Sequence, residues 1–282
     1  MPASQPYTVA CSGGLVKSTN AIDLLKTPGV AQELRNFEVS IEGGYRRING
    51  FAKFGSAQVT GSITNILGVI PYADGVIACA STGIYFSQDG NSWLNVSRSS
   101  VASGGDNHTA FTGRSALART GQGQISFALY EAATDDYGTI VISDGANKPY
   151  AFRMEGTGAN INTRTFFGAE ITVNSAKYVK YVTIHDNHLI AAGVEDNLNT
   201  VYYSVNNDVT DFSSSGSGAI VISDQIVGIR GFREDLFIFC ENSIYKLINI
   251  NNSSTIAVVP VAENVGCMSG YSIQEIGGDL IF

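Results

Sequence analysis

The sequence contains little cysteine, little proline and little charge: 4 Cys, 6 Pro and 15% charged residues in a chain of 282. The cysteines are far apart, and none belongs to a CxxC pair; they are Cys11, Cys79, Cys240 and Cys267. This spacing indicates neither a zinc knuckle nor a dense disulfide framework, so we expect free buried thiols.

Long apolar runs are also missing. No stretch is long enough to cross a bilayer, and residues 1–20 lack a charged segment followed by an apolar one. The sequence therefore predicts no membrane span and no secretory signal, and a protein that is made and folded in a cytoplasm.

Positive charge is scarce relative to negative charge, and the formal net charge is -8. A protein that grips nucleic acid through its overall charge needs clustered Lys and Arg, and no basic stripe appears. A net negative surface permits a polyanion to slide along it without sticking. We therefore expect any DNA contact to be passage without specific binding.

The abundant features are glycine, with 31 residues, and an apolar fraction of 44% that includes many Val, Ile and Tyr. This composition is typical of many short strands joined by tight turns. A short helix is predicted only at Ala21 to Lys26, capped by Asn20 and ended by Pro28 and Gly29. A hairpin follows, from Phe37 to Gly50, around the Gly43 and Gly44 turn.

Four later stretches predict meanders of short strands separated by turn residues. The predicted strands are 66–72, 76–80, 84–87 and 93–96; 123–130, 138–143 and 149–154; 178–185, 188–192 and 200–205; and 225–232, 236–241, 243–250 and 255–261. Such a sheet has two faces to cover and two edges to protect, so it needs a neighbour of the same kind. Radial stacking in a β-propeller meets this need.

The expected fold class is therefore all-β: a β-propeller-like array of four-stranded antiparallel meanders in residues 56–282. An N-terminal arm with a short helical segment and the first hairpin would occupy residues 1–55. Two polar stretches, Ser97 to Thr120 and Gly156 to Asn174, are predicted to protrude as loops or insertions. Residues 277–282 resemble the first half of a hairpin without its return strand, so we expect either that the propeller is incomplete at this end or that its closing strand comes from elsewhere.

One turn resembles a known structural motif. The segment from Ser87 to Trp93 resembles the Asp-box turn between the third and fourth strands of sialidase-like propeller blades. Asp89 is suited to accept backbone N–H bonds across the turn, Gly90 to supply a positive φ, and Trp93 to pack beneath the loop. The motif predicts a folding element and not an active site.

The remaining candidates for chemistry do not form a catalytic or metal-binding set. His185 and His188 flank an Asp186–Asn187 hairpin turn with no third ligand nearby, which favours a surface cross-strand pair over a metal site. Adjacent Asp135 and Asp136 point opposite ways in an extended loop, which favours a solvated turn over a carboxylate dyad. His108 stands alone in a glycine-rich loop. We expect no catalytic, cofactor-binding or metal-binding residue, and no enzyme activity.

Arg46 and Arg47, with Arg35 upstream, form the only tight basic cluster. Alternation along a strand puts Arg46 and Arg47 on opposite faces, so a continuous phosphate-binding patch is disfavoured. Both are candidate subunit contacts or partners in intramolecular ion pairs.

The segment GGLVKSTNAIDLLKTPGVAQELRNFEVSIEGGYRRINGFAKFG, from Gly13 to Gly55, resembles the start of phage virion proteins of the tail nozzle and neck kind. The pattern N-x-E-x-x-x-x-G-G-x-R-R-I-x-G carries this resemblance. Later runs, 188–212, 226–232, 236–245 and 260–266, resemble the propeller blades of the same proteins. Together they cover about two thirds of the chain, loosely. In that family the pattern would normally continue past Phe282 for several strands.

The resemblance implies a β-propeller, often broken by an inserted platform domain, whose copies form a ring around the tail channel through which DNA leaves. It implies a non-enzymatic virion protein of the tail or neck, with itself and other virion proteins as partners. The alternative is a receptor- or glycan-binding tail protein that uses the loops Asp135 to Tyr137 and Ser97 to Thr120. A sialidase-like glycosidase, suggested only by the Asp-box-like turn, is a further alternative.

Overall fold

In this computed structural model the described residues are 52–59, 65–99, 115–117, 119–120, 123–132, 136–157, 160–252, 254–276 and 278–282, with 15, 16, 29–31, 33, 35–39, 45–48, 50, 106 and 107. The chain divides into two compact units, Met1–Phe54 (unit 1) and Gly55–Phe282 (unit 2). The helix predicted at residues 21–26 and the Gly43–Gly44 turn lie outside the described residues.

Unit 1 contains the predicted hairpin. Strand β1 (Phe37–Val39) is antiparallel to β2 (Tyr45–Arg47), with Phe37 opposite Arg47 and Val39 opposite Tyr45. Asn36 precedes β1 with φ of 59°, in the left-handed region that Asn tolerates. The hairpin prediction is confirmed.

Sheet 1 of unit 2 is the first predicted meander. Its strands, in spatial and chain order, are β3 (Ile66–Tyr72), β4 (Gly75–Ala80), β5 (Gly83–Ser87) and β6 (Leu94–Asn95). All neighbours are antiparallel. Every residue of β5 is buried, so this third strand is covered on both faces. The sheet therefore needs neighbouring structure on both sides, as the pattern predicts.

Sheet 2 has one strand more than a simple meander. Its spatial order is β7 (Asp106–Asn107), β11 (Thr165–Glu170), β10 (Tyr150–Glu155), β9 (Thr139–Ser143) and β8 (Ser126–Tyr130). The prediction that Gly156 to Asn174 protrudes as a loop is wrong, because this stretch contains β11 and a turn of 3-10 helix, Ile161–Thr163. Phe166 in β11 is fully buried. In the stretch 97–120, β7 pairs with β11 at the outer edge.

Sheets 3 and 4 are four-stranded antiparallel meanders. Sheet 3 comprises β12 (Tyr181–His185), β13 (His188–Ala192), β14 (Thr200–Tyr203) and β15 (Gly218–Val221); sheet 4 comprises β16 (Ile226–Phe232), β17 (Asp235–Cys240), β18 (Ser243–Ile248) and β19 (Ala257–Glu263). Asp186 and Asn187 both have positive φ, 47° and 63°, as a two-residue type I′ hairpin requires. The sequence prediction missed β15.

The last sheet is a two-stranded hairpin of β20 (Gln274–Ile276) and β21 (Asp279–Ile281). Residues 279–281 are therefore the return strand of a hairpin, and the prediction that they form its first half is wrong. Gly278 has φ of 87°, which lets the chain reverse there. The sequence prediction missed β20, which has three residues, all of them exposed.

The sheets pack face to face in chain order, and one apolar cluster fills each gap. The clusters between sheets 1 and 2, 2 and 3, and 3 and 4 each combine side chains from both partners, and Phe239 and Leu280 meet in the cluster beside the last hairpin. Edge strands of sheets 2, 3 and 4 lie side by side, with β12 between β8 and β16. Unit 2 is therefore an all-β, propeller-like array, although its described residues do not define a closed ring.

In the described part of the chain, the cysteines Cys79, Cys240 and Cys267 are free and buried. Burial raises the pKa of Cys79 and Cys240 to about 12, so both remain neutral thiols at neutral pH.

Among the described helical segments there is none long and apolar enough to cross a membrane.

Candidate functional site

The Asp-box-like turn between β5 and β6 has the hydrogen bonds that its residue types suggest. Asp89 Oδ1 accepts from the backbone N–H of Asn91 (2.8 Å) and of Ser92 (3.4 Å), and Ser87 Oγ accepts from Gly90 N–H (2.8 Å). Gly90 has φ of 71° and Trp93 is half-buried. The backbone N–H of Asn91 lowers the pKa of Asp89, which accepts it.

This turn also fixes the chain segment that enters unit 2. Asn91 Oδ1 accepts from the backbone N–H of Ser56 (3.0 Å), and Gly90 O accepts from Ala57 N–H (3.1 Å). Gly55 has φ of 66°, and a Cβ there would lie 2.1 Å from the carbonyl carbon of Gly90. The turn therefore holds one segment against another and leaves no space for a side chain between them.

An equivalent turn recurs in sheet 2, between β9 and β10. Asp144 Oδ1 accepts from the backbone N–H of Ala146 (3.1 Å) and of Asn147 (2.9 Å), and Gly145 has φ of 69°. Unlike Asp89, the Asp144 side chain is only 5% exposed. In this second turn the same backbone hydrogen bonds therefore go to a buried carboxylate, that of Asp144.

Arg119 is the partner of that carboxylate. Its Nε and Nη2 donate to Asp144 Oδ2 at 3.2 and 2.9 Å, and Nη2 also donates to the Lys148 carbonyl at 3.2 Å. The Arg119 side chain is 2% exposed. Burial by itself raises the pKa of Asp144, but the Arg119 charge and the backbone donors outweigh it, so the net shift is downward.

A second arginine joins sheet 2 to sheet 1. Arg164, 1% exposed, follows the 3-10 turn. It donates two parallel hydrogen bonds to Asp74 in the β3–β4 turn, Nη1 to Oδ1 at 2.6 Å and Nη2 to Oδ2 at 2.5 Å. Gln88 Nε2 donates to the same carboxylate at 2.7 Å. These bonds, the Arg164 bond foremost, lower the pKa of Asp74. The fork fastens two neighbouring sheets at one end.

Two buried tyrosines add neutral bonds across the same gap. Tyr72 Oη donates to the carbonyl of Gly138 (2.8 Å) and accepts from Met154 N–H (3.1 Å). Tyr150 Oη donates to the carbonyl of Val96 (2.9 Å). A Cβ at Gly168 would lie 2.3 Å from Tyr150 Oη, so glycine is needed where that hydroxyl passes.

His188 makes the corresponding connection between sheets 3 and 4. His185 and His188 lie opposite each other on β12 and β13, as predicted, but His188 is buried and the expectation of a surface pair is wrong for it. His188 Nδ1 is 2.6 Å from Ser204 O, and Nε2 is 3.0 Å from Asn251 Oδ1 in the turn after β18. Burial lowers the pKa of His185, and Asp186 opposes this shift.

The other sequence candidates are not gathered into one site. Asp136 Oδ2 accepts from Gly156 N–H (2.7 Å), while Tyr137 packs against the cluster between sheets 1 and 2. Arg47 is exposed. Asp135, His108 and the Arg46 side chain lie outside what the structure describes. In the described ranges no three His, Cys, Asp or Glu residues are placed to hold a metal ion.

The candidate functional feature is therefore a set of polar contacts: Arg164 with Asp74 and His188 with Asn251 connect neighbouring sheets, and Arg119 with Asp144 holds the β9–β10 turn of sheet 2. Sequence reasoning found none of these roles. The available signal was the repeat of Asp-Gly at 89–90 and 144–145. Chemically, the connections hold sheets at fixed spacing. No protein-family model matches this chain, and no curated protein matches it.

Acid is expected to weaken unit 2 through its carboxylates. The pKa values of Asp74, Asp144 and Asp224 are lowered in the folded chain from an ordinary 3.8. Their stabilisation is therefore complete above pH 3.8 and is lost as the pH falls through 3.8 towards the folded pKa. The thermal midpoint followed by circular dichroism should be nearly constant above about pH 5 and should drop below about pH 4.

The Asp144→Asn variant is the control for this acid dependence. It lacks the most buried of these carboxylates, so its midpoint should fall less on acidification than that of the unmodified chain. Parallel pH curves for the two proteins would show that Asp144 does not contribute to the acid response.

Proposed function

We propose that this protein is a non-enzymatic bacteriophage virion structural protein, a ring-forming component of the tail nozzle or neck that lines or supports the DNA ejection channel. The observation that carries the proposal is that a buried charged side chain fastens one sheet to the next, Arg164 to Asp74, while a second buried pair, Arg119 with Asp144, holds the turn between β9 and β10. The resemblance of Gly13 to Gly55 to nozzle and neck proteins supplies the particular assignment.

The contacts between the sheets of unit 2 favour a stiff array. Loose sheets would slide or twist under load, whereas a bidentate Arg–carboxylate fork fixes both distance and orientation. Each sheet of unit 2 is also joined to its neighbour by a buried apolar cluster. Such an array suits a wall that must hold its shape while neighbouring copies attach to it.

The net charge of -8 fits the same role. A negatively charged lining repels DNA phosphates. The DNA therefore does not exchange its counterions for contacts with the protein, and it passes without sticking. We expect acidic side chains to face the lumen of the ring, and Arg46 and Arg47 to lie at contacts between subunits. Made in the host cytoplasm, the chain would then reside in the tail or neck of the virion.

The receptor-binding alternative has less support. It uses the loops Asp135 to Tyr137 and Ser97 to Thr120, and Tyr137 is the aromatic residue of the first loop. Tyr137 is half-buried against the cluster between sheets 1 and 2, and its ring centroid lies 5.7 Å from the Arg164 guanidinium carbon, so much of the ring is already in contact with the protein.

Electron microscopy tests the proposal. Virions should be labelled with an antibody fragment raised against this chain, and class averages should show the label in a ring around the tail axis or neck. The purified full-length chain, alone or with its neighbouring tail proteins, should form closed rings by light scattering and negative stain. Label on fibre tips, or virions free of label, would refute the assignment.

A further inference from the structure

A cavity of about 340 Å³ opens where the edge strands β8, β12 and β16 meet the segment before β20. This volume falls in the range of small-molecule sites. It is lined on one side by residues of β8 and β12 and on the other by β16 and residues 270–274. None of the residues that form the polar contacts described above lines this cavity.

Arg230, in the middle of β16, is the one charged residue among those that line the cavity. Its side chain is exposed, and within the described residues it makes no ion pair or hydrogen bond. Arg119, Arg153 and Arg164 each contact a carboxylate in the same unit. A guanidinium left open in a cavity presents a planar set of donors that matches a carboxylate with two parallel bonds.

Uncharged polar residues line the same cavity as Arg230. The side chains of Gln124, Thr183 and Gln274 line the cavity and are not used in hydrogen bonds within the described chain. Together they offer amide and hydroxyl groups that both donate and accept. Such groups suit a ligand that carries several hydroxyls beside its single negative charge.

The cavity walls are held by bonds already made. Ser126 Oγ accepts from Val182 N–H (3.0 Å) and donates to the Val182 carbonyl (3.2 Å), which ties β8 to β12. Tyr271 Oη donates to the Gln124 carbonyl (2.8 Å), and burial raises the pKa of Tyr271 to about 12, so this donor stays protonated at neutral pH. The site is therefore pre-formed, which reduces the entropy cost of binding.

Aromatic rings provide the remaining surface. Tyr181 and Tyr271 lie with ring centroids 5.7 Å apart, and Phe127 remains 49% exposed in the same cavity. An amphipathic ring with an apolar face and polar edges can lie against such rings while its edges meet the amides. A sugar ring has this shape and polarity.

We infer that this cavity binds a sugar that carries one carboxylate, of the uronate class, with Arg230 paired to the carboxylate. A single guanidinium without a second cation matches the charge of a monoanion better than that of a phosphate dianion. The ligand could be a free uronate or the end of an acidic polysaccharide, since both present the same group. This inference goes beyond the structural role proposed above and does not depend on it.

Isothermal titration of the full-length chain with D-glucuronate tests the inference. Saturable binding is expected, with D-glucose at least tenfold weaker because it lacks the carboxylate, and with inorganic phosphate also at least tenfold weaker. Arg230→Gln should weaken glucuronate binding by tenfold or more, since a charge-assisted bidentate pair is lost. A polyglucuronate oligomer that binds more tightly than the monosaccharide would identify the polysaccharide end as the source.

Arg233→Gln is the matched control. Arg233 is an exposed arginine three positions further along the same chain segment, outside the cavity lining, and it donates to the Gly278 carbonyl. This variant should bind glucuronate as the unmodified chain does, and both variants should keep their thermal midpoints. Absence of saturable glucuronate binding, equal binding by Arg230→Gln, or phosphate binding as tight as glucuronate would each overturn the inference.

Discussion

Replacing Asp144 by alanine is expected to lower the free energy of unfolding of this protein by about 3–5 kcal/mol, the range seen when one partner of a buried ion pair is removed. The Arg119 guanidinium, 2% exposed, would keep its charge but lose the carboxylate that accepts from Nε and Nη2. Its remaining hydrogen-bond acceptor is the Lys148 carbonyl, and Glu170 Oε1 lies 4.0 Å from Nη1. The measurement is urea unfolding of the full-length chain followed by tyrosine fluorescence and circular dichroism.

Asp89→Ala is the matched control for this change. Asp89 stands at the same position of an equivalent turn, is followed by a glycine of similar φ, and accepts comparable backbone bonds. It differs in having an exposed side chain and no arginine partner. Its replacement should cost much less than that of Asp144. Equal losses would mean that the turn bonds, and not the buried charge, account for the effect.

The double variant Arg119→Met with Asp144→Ala, measured together with each single variant, completes a double-mutant cycle. Because it removes the Arg119 charge as well as the Asp144 carboxylate, it should be more stable than Asp144→Ala alone. A double variant as unstable as the sum of the two single variants would show that the pair is not energetically coupled.

The sequence indicates strands where a run of apolar residues is bounded by clear turn residues, whether the run is buried throughout, as in β5, or only in part, as in β16. Strands β11 and β15 were missed although their residues alternate between more and less buried positions, because the segments around them are rich in Gly, Ser, Thr and Asn. Each is held by the backbone ladder of a neighbouring strand, β10 for β11 and β14 for β15, and composition does not show that pairing.

The same distinction explains which site residues were predictable. The bonds of Asp89 run to residues two and three positions away, so the local sequence is enough to suggest them. Arg119 and Asp144 are 25 positions apart, and Arg164 and Asp74 are 90 apart. Their meeting depends on the register and stacking of whole sheets. His188 follows the same logic, since Asn251 of the next sheet covers it.

Truncating Phe152 to alanine is expected to cost about 3–5 kcal/mol, because a fully buried aromatic side chain would be replaced by a cavity. Phe152 in β10 of sheet 2 lies 6.0 Å from the Phe166 ring and 5.7 Å from the ring of Tyr72 in sheet 1. The loss therefore falls on the interface between two sheets and not within one. Urea unfolding, with unfolding followed separately by tyrosine fluorescence and circular dichroism, measures it.

Phe127→Ala removes the same side chain from another strand of sheet 2, where it is 49% exposed, and should cost far less. If neighbouring sheets hold each other in place, the two probes should report one shared transition in the Phe152→Ala variant, shifted to lower urea. A stack of sheets that contact only their neighbours loses this cooperativity when one interface becomes weak enough. Two separate transitions already in the unmodified chain would show that its sheets are independent, and a rigid wall could not be built from them.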